Sequence, residues 1–342
     1  MERVMVTGSA GFIGYHTAAR LLRDGYEVVG VDNLNAYYDV GLKEARLARL
    51  QALPSFSFEK VSIADREALQ RVFDRYRPIR VIHLAAQAGV RHSLRQPHDY
   101  ADANLTGFVN MLEGCRIHEV RHLLFASSSS VYGANANLPY SEHDPADHPI
   151  SLYAATKKAN ELIAHAYAHL YGIPATGLRF FTVYGPWGRP DMAYFSFARA
   201  IAERRPITVF NSGLMKRDYT YIDDVAEGIV RLLDRPAVPN PEWSAENPDP
   251  ATSAAPYRIY NIGNHEPVAL LDFIAILERY MGIEAIKEFA DIQSGDMLET
   301  FADTSDLRRD VGFAPGTPLE TGLARFVEWF KDFYSFSGRE KR

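Results

Sequence analysis

Cysteine is almost missing: the 342 residues contain one, Cys115. That excludes an internal disulfide framework and suits a reducing cytoplasm. A basic surplus is missing too. Lys and Arg number 37 against 43 Asp and Glu, a net charge of −6, and the one basic run is the short tail from Arg339 to Arg342. Nucleic acid is therefore not an expected partner. No apolar run is long enough to span a bilayer, so no membrane association is expected. The start of the chain leads into Val4-Met5-Val6 without a signal-peptide pattern. There is no internal repeat. His92 and His98 lack further partners at metal-ligand spacing, and no metal is expected. What remains is 47% apolar and 23% charged, a soluble globular composition with ample core for one large domain or two small ones.

Strand and helix signals alternate from the first residues. Residues 3–7 read as a short buried strand that runs into Gly8-Ser9-Ala10-Gly11-Phe12-Ile13-Gly14, then a helix to about Arg23 and a strand ending at Asp32. Glycines at Gly8, Gly11 and Gly14 let backbone approach a pyrophosphate on the positive end of the helix. An acid about twenty positions on hydrogen-bonds the adenosine ribose, and Asp32 would repel a 2′-phosphate, which favours NAD over NADP. Strands follow at 56–61, 81–84, 122–126 and 175–181, with helices at 66–77, 98–115 and 152–170. The rhythm predicts an α/β fold with a Rossmann-like doubly wound parallel sheet. Ser62-Ile63, Leu84-Ala85-Ala86, the run Ser127 to Ser130 and residues 180–182 each follow a strand and are expected at one crevice.

Residues 1–182, with a returning segment at about 218–262, make up the expected dinucleotide-binding domain. Residues 183–217 and 263–335 make a smaller C-terminal α/β substrate lobe, with helices at 194–205, 267–280 and 318–334. The Pro-, Asn-, Asp- and Ser-rich stretch 235–256 reads as a surface excursion.

Tyr153 and Lys157 stand four apart on the 152–170 helix, so phenol and ammonium share a face. A neighbouring ammonium lowers a tyrosine pKa, and a tyrosine so placed can act as a general base. Tyr and Lys at that spacing are commonly a solvated face. The serine run and the glycine turn upstream give the pair its context.

The glycines, Asp32, the serine run before Val131-Tyr132-Gly133, and Tyr153 with Lys157 together resemble the extended short-chain dehydrogenase/reductases over nearly the whole chain. Within that superfamily, residues 32–47, 85–91, 182–194, 294–296 and 302–304 resemble the UDP-glucuronate 4-epimerases. The resemblance implies tightly bound NAD, regenerated in each turnover, and a UDP-sugar substrate inverted at C4. Tyr153 removes the 4-hydroxyl proton, Lys157 holds the nicotinamide ribose and keeps Tyr153 acidic, and Ser128 relays the proton. Cofactor positions carried over are Gly8, Gly11, Phe12, Ile13, Asp32, Asn33, Asn35, Ser62 and Ile63. They continue with Leu84, Ala85, Ala86, Gln87, Asn104, Tyr153, Lys157 and Phe180. Ser62 stands where the family commonly has Asp. Substrate positions are Ser128, Ser129, Ser130, Tyr153, Thr182 and Arg189 at the sugar. Thr208 and Phe210 flank the uracil, and Arg217 and Gln293 meet the phosphates, Gln293 replacing an arginine.

The acid-base pair of the related dehydratases and the glutamate of the related decarboxylases are absent, with Ser129-Ser130 in their place. Small hydroxyls suit a carboxylate without repelling it, and a guanidinium such as Arg189 can grip one bidentately. Arg189 read without the resemblance is a solvated loop residue, and a serine run is a polar strand end bonding its own backbone. The alternatives are a 4-epimerase of neutral UDP-hexoses and a non-catalytic binder of NAD or nucleotide sugars. The resemblance also implies a homodimer, formed by the 98–115 and 152–170 helices. His83 reads as core, and Cys115 has no visible activating group.

Overall fold

The expected alternation is present in the computed structural model, which describes residues 2–291 and 298–336. β1 (Arg3–Thr7), α1 (Phe12–Arg23) and β2 (Glu27–Asp32) form the opening βαβ unit. α2 (Val40–Gln51), β3 (Phe56–Lys60), α3 (Arg66–Tyr76) and β4 (Arg80–His83) follow. Two single turns, α4 (Val90–Ser93) and α5 (Pro97–Tyr100), lead through a π-helical segment, Ala101–Thr106, into α6 (Gly107–Ile117). β5 (His122–Ser128), a 3-10 turn (Ser129–Tyr132), α7 (Leu152–Tyr171) and β6 (Ala175–Phe180) complete this part. Beyond it lie β7 (Thr182–Tyr184), α8 (Ala193–Ala202), β8 (Ile207–Phe210), β9 (Lys216–Tyr221), α9 (Ile222–Leu233) and β10 (Tyr257–Ile262). The chain continues with β11 (Pro267–Ala269), α10 (Leu270–Met281), β12 (Lys287–Ala290), β13 (Glu299–Thr300), α11 (Ser305–Val311) and α12 (Leu319–Phe333).

Seven parallel strands run in the order β10-β6-β5-β4-β1-β2-β3. Successive residues of a strand face opposite ways, so a sheet with helices on both faces needs apolar residues throughout. Val4 and Val6 pack with Leu21 and Ile229 on one face, whereas Met5 packs with Phe73 and Met111 on the other. The order reverses between β1 and β4, and the carboxyl ends of these two strands open a crevice.

α7 begins where its cap places it. The Ser151 hydroxyl accepts from the Ala154 amide at 3.1 Å, and Gly172 closes the far end in the left-handed region. Ser151→Ala costs about 1 kcal/mol on these grounds, and the cap sets the rotation of a helix carrying Tyr153 in its first turn.

Three expectations change. The 98–115 helix is interrupted by the π-helical segment, where the Asn160 side-chain amide donates to the Asn104 carbonyl at 2.6 Å. An inserted side chain of this kind diverts the i→i−4 ladder. The 267–280 helix starts at Leu270, because Pro267–Ala269 pairs antiparallel with β9. β9 itself joins β7, β11 and β13 in a small second sheet and not the seven-stranded one. The returning segment reaches the large sheet through β10 alone, while α9 packs on α1. Residues 235–256 contain no helix or extended strand.

Candidate active site

One cavity of about 860 Å³ lies over the carboxyl ends of β1, β2, β4, β5 and β6. Gly8, Gly11, Phe12, Ile13, Asp32, Asn33, Asn35, Ser62, Ile63, Leu84, Ala85, Ala86 and Gln87 line one end. Ser128, Ser129, Ser130, Tyr153, Lys157, Phe180, Thr182, Arg189 and Arg217 line the other.

The first end is shaped for a dinucleotide. Gly8 has φ +69°, and a Cβ there would stand 2.9 Å from the Ala85 nitrogen. A Cβ on Gly14 would lie 2.0 Å from the Gly8 carbonyl oxygen, so helix and turn touch only because residue 14 is glycine. The Asp32 carboxylate accepts from the Leu34 amide at 2.8 Å and the Ala10 amide at 3.1 Å, which fixes it at the end of β2. Gln87 lines the cavity, and its buried Nε2 has no partner among the described residues, leaving a donor for a ligand. Adenosine on Asp32 and pyrophosphate over Gly8 to Gly14 fit these residues. The Ser62 hydroxyl accepts from the Ala64 amide at 3.3 Å.

Asn104 does not line the cavity. It is buried behind it, where its amide group accepts from the Gln87 amide at 2.8 Å and donates to the Gln87 carbonyl and the Thr156 hydroxyl, both at 3.0 Å. The Thr156 hydroxyl donates to the Tyr153 carbonyl at 2.8 Å. The π-helical segment thereby ties the strand end after β4 to the turn that carries Tyr153.

At the other end, burial pushes the Tyr153 phenol up, opposed by the nearby Ser128 hydroxyl and by the Arg189 charge. The Lys157 ammonium is buried and donates to the Ala126 carbonyl at 2.8 Å. Burial lowers its pKa to about 8, with Glu161 pulling the other way.

Ser128 Oγ accepts from the Ser130 amide and donates to the Ser130 hydroxyl, both at 3.2 Å, and caps the 3-10 turn, so its bonds stay within its own segment. Ser127 is committed elsewhere. Its hydroxyl donates to Glu161 at 2.6 Å, and Glu161 holds Arg179 through two bonds of 2.8 and 2.9 Å beneath the sheet. Burial alone would raise the Glu161 carboxyl, but Arg179 holds it below the usual range.

Arg189 is neither solvated nor free. Its Nε donates to Asp191 Oδ1 at 3.1 Å, a second nitrogen pairs with Oδ2, and the Tyr37 hydroxyl donates to the same carboxylate at 3.1 Å. Burial would raise the Asp191 carboxyl, and Arg189 more than offsets it. Thr208 and Phe210 do not line the cavity, since β8 pairs with β12 in a separate two-stranded sheet. Arg91, which does line it, lies 5.5 Å over the Phe210 ring. Gln293, with 294–296, lies outside the described residues.

Sequence reasoning left Tyr37, Asp191, Lys43 and Arg91 without roles, although all line the cavity. Asp191, two residues after Arg189, carried a signal in its opposite charge. Lys43 carried none, being a helical lysine like any other until the fold buries it. His83 is buried against Thr7 at 2.8 Å, and burial lowers its pKa to about 3, which leaves it neutral. Among the described residues no helix is long and apolar enough to cross a membrane.

A dinucleotide cradle opening onto Ser, Tyr and Lys at a strand end defines a short-chain oxidoreductase-type site. Residues 4–263 match the profile of the NAD dependent epimerase/dehydratase family, and the chain belongs to that family. It is 52% identical to protein CapI of Staphylococcus aureus, over 97% of this chain and 99% of that one. It is 49% identical to a probable UDP-glucuronate 4-epimerase of Rhizobium meliloti, over 97% and 98%. Its fold matches the crystal structure of UDP-glucuronic acid 4-epimerase from Bacillus cereus in complex with UDP-glucuronic acid and NAD. The TM-score is 0.84 at 32% identity, with 97% of this chain and 100% of that chain covered.

Proposed function

We propose that this protein is an NAD-dependent UDP-glucuronate 4-epimerase, an isomerase that forms UDP-galacturonate. The observation that carries the reading is the meeting of Ser128, Tyr153 and Arg189 at one end of a cavity whose other end fits a dinucleotide. NAD, when bound, takes the C4 hydride and returns it to the opposite face of the sugar. Tyr153 holds the 4-hydroxyl proton and gives it back, with Ser128 beside it on the cavity wall as relay. Lys157, anchored on the Ala126 carbonyl, presents its remaining N–H groups to the ribose side.

Arg189, Thr182, Ser129 and Ser130 hold the sugar carboxylate. The 4-keto sugar is a β-keto acid, which loses carbon dioxide when the bond to its carboxylate aligns with the ketone. Fixing the carboxylate out of that alignment suppresses the loss. Arg217 takes a phosphate of the UDP.

A second reading, epimerisation of neutral UDP-hexoses, is favoured by the Arg189–Asp191 pair, since an arginine already neutralised can leave a neutral sugar unopposed. Incubation with UDP-glucuronate and with UDP-glucose, without added NAD, separates the two by which sugar is epimerised. Conversion of neither overturns both.

The protein also acts as a homodimer in this reading. Val109 and Ile117 on α6 and Leu152, Leu162 and Leu170 on α7 are exposed apolar side chains on two neighbouring helices, as a four-helix interface requires.

A further inference from the structure

Arg46 has no assigned role, and with Arg179 it is among the largest of the fully buried side chains. It stands three residues after Lys43 on α2, and both face inward. All five of its N–H bonds are used. Nε donates to the Trp187 carbonyl at 3.0 Å, and Nη2 donates to the Trp187 carbonyl at 2.6 Å and the Gly188 carbonyl at 2.8 Å. Nη1 donates to the Ala10 carbonyl at 3.0 Å and the Tyr38 hydroxyl at 2.8 Å. Every acceptor is a neutral oxygen. A buried guanidinium is normally matched by a carboxylate, and satisfying one with carbonyls alone is costly unless the geometry is complete.

Two of those acceptor sites belong to different halves of the active cavity. Ala10 is in the glycine turn, and its own amide donates to the Asp32 carboxylate, so this one residue is held through both of its backbone polar groups. Trp187 and Gly188 immediately precede Arg189, and Trp187 has φ +60°, a left-handed conformation that a tryptophan adopts only under restraint. One planar fork therefore spans from the turn that receives the pyrophosphate to the loop that presents Arg189.

We propose that Arg46 is a positioning residue for the reaction: it holds the 187–188 loop, and through it Arg189, in register with the cofactor turn. The proposal rests on Arg189 acting on the sugar carboxylate as described above. A lysine has three donors on a point charge and cannot reproduce five bonds in one plane, so Arg46→Lys loosens the loop while keeping the buried charge.

The test is a double-mutant cycle on the full-length enzyme, read as kcat/KM for UDP-glucuronate, with Arg46→Lys, Arg189→Ala and the combined variant. Parent turnover of UDP-glucuronate is established first, so failure of the substrate reading shows itself before the cycle begins. Arg46→Lys is expected to lower kcat/KM roughly ten-fold in the parent and less than about two-fold in Arg189→Ala, because the two residues act through one contact. It is also expected to release UDP-pentose beside the epimer while bound NAD, measured in acid extracts, stays near the parent level. Equal losses in both backgrounds, or a loss that tracks melting temperature and NAD content, would overturn the proposal and leave Arg46 a structural residue. If Arg46→Lys does not fold, Tyr38→Phe, which removes one acceptor of the same fork, takes its place in the cycle with the same sign and a smaller effect.

Discussion

Arg189→Ala removes more than a side chain that meets the sugar. In the protein as folded, Arg189 neutralises Asp191, and Asp191 has one further donor, the Tyr37 hydroxyl. The substitution therefore has two consequences of the same sign for an anionic substrate. A charge-assisted contact to the sugar carboxylate is lost, worth about 1.5–3 kcal/mol. The Asp191 carboxylate is also left without its cation close to the incoming carboxylate. At about 6 Å and an effective dielectric of about 20, that repulsion is some 2–3 kcal/mol before screening. The single variant should then lose roughly a hundred- to a thousand-fold or more in kcat/KM for UDP-glucuronate. Arg189→Ala combined with Asp191→Ala should recover the repulsive part and stand only roughly ten- to a hundred-fold below the parent. UDP-glucose has no carboxylate and should change by less than about five-fold in either variant, if it is turned over. The assay is steady-state turnover of both sugars, with NMR of the anomeric region to detect UDP-pentose released by an unrestrained 4-keto acid. If the single variant harms both sugars equally, Arg189 serves the loop. If the double variant is worse than the single for UDP-glucuronate, the account of Asp191 as a competing anion is wrong.

Tyr153→Phe and Lys157→Met should each remove nearly all turnover with an unchanged circular dichroism spectrum, since both line the cavity; near-normal turnover in Tyr153→Phe refutes its role. Glu142 is buried, accepts from the Asn261 amide at 2.9 Å, and is pushed up by burial to about 7. A carboxyl raised this way binds its proton more readily folded than unfolded, so it costs stability as pH rises from about 4.5 to 7. Glu142→Gln should therefore gain up to about 3 kcal/mol in denaturant unfolding at pH 8 and little at pH 4; an equal shift at both pH values contradicts it. Solution scattering at micromolar concentration should give the mass of two chains, and a monomer mass removes the dimer assignment.

What was legible in the sequence is what repeats locally. The central strands of the first half, such as β1 and β2, declare themselves because both faces of the sheet are covered, so each holds a short apolar run. Tyr153 and Lys157 can be read because helical spacing alone puts them on one face. The turn at Gly8 to Gly14 can be read because its conformations admit little but glycine. The rest depends on long-range meetings. α2 has weak apolar periodicity, since two of its inward positions are Lys43 and Arg46, and nothing local says that carbonyls some 140 residues away will satisfy them. Lys157 is read from helical spacing as a neighbour of Tyr153, but its contact with the Ala126 carbonyl of β5 depends on how helix and sheet pack and is not legible locally. Asn104 reads as a cofactor ligand by position, and the π-helical segment carries it one layer behind.

The outermost strand of the large sheet bears on how the chain is made. β10 pairs residue for residue with β6, from Tyr257 on Ala175 to Ile262 on Phe180, and about eighty residues separate the two. During synthesis β6 emerges first, a strand buried along its whole length in the finished fold and until then open along one side. At about 5–20 residues per second that edge waits roughly 4–16 s for its partner. An open edge of this kind is a template for any other strand, including β6 of a neighbouring nascent chain. Ribosomes stalled between residues 182 and 256 would thus hold a nearly finished dinucleotide fold with its most adhesive side uncovered, and the last strand acts as the lid that ends the exposure.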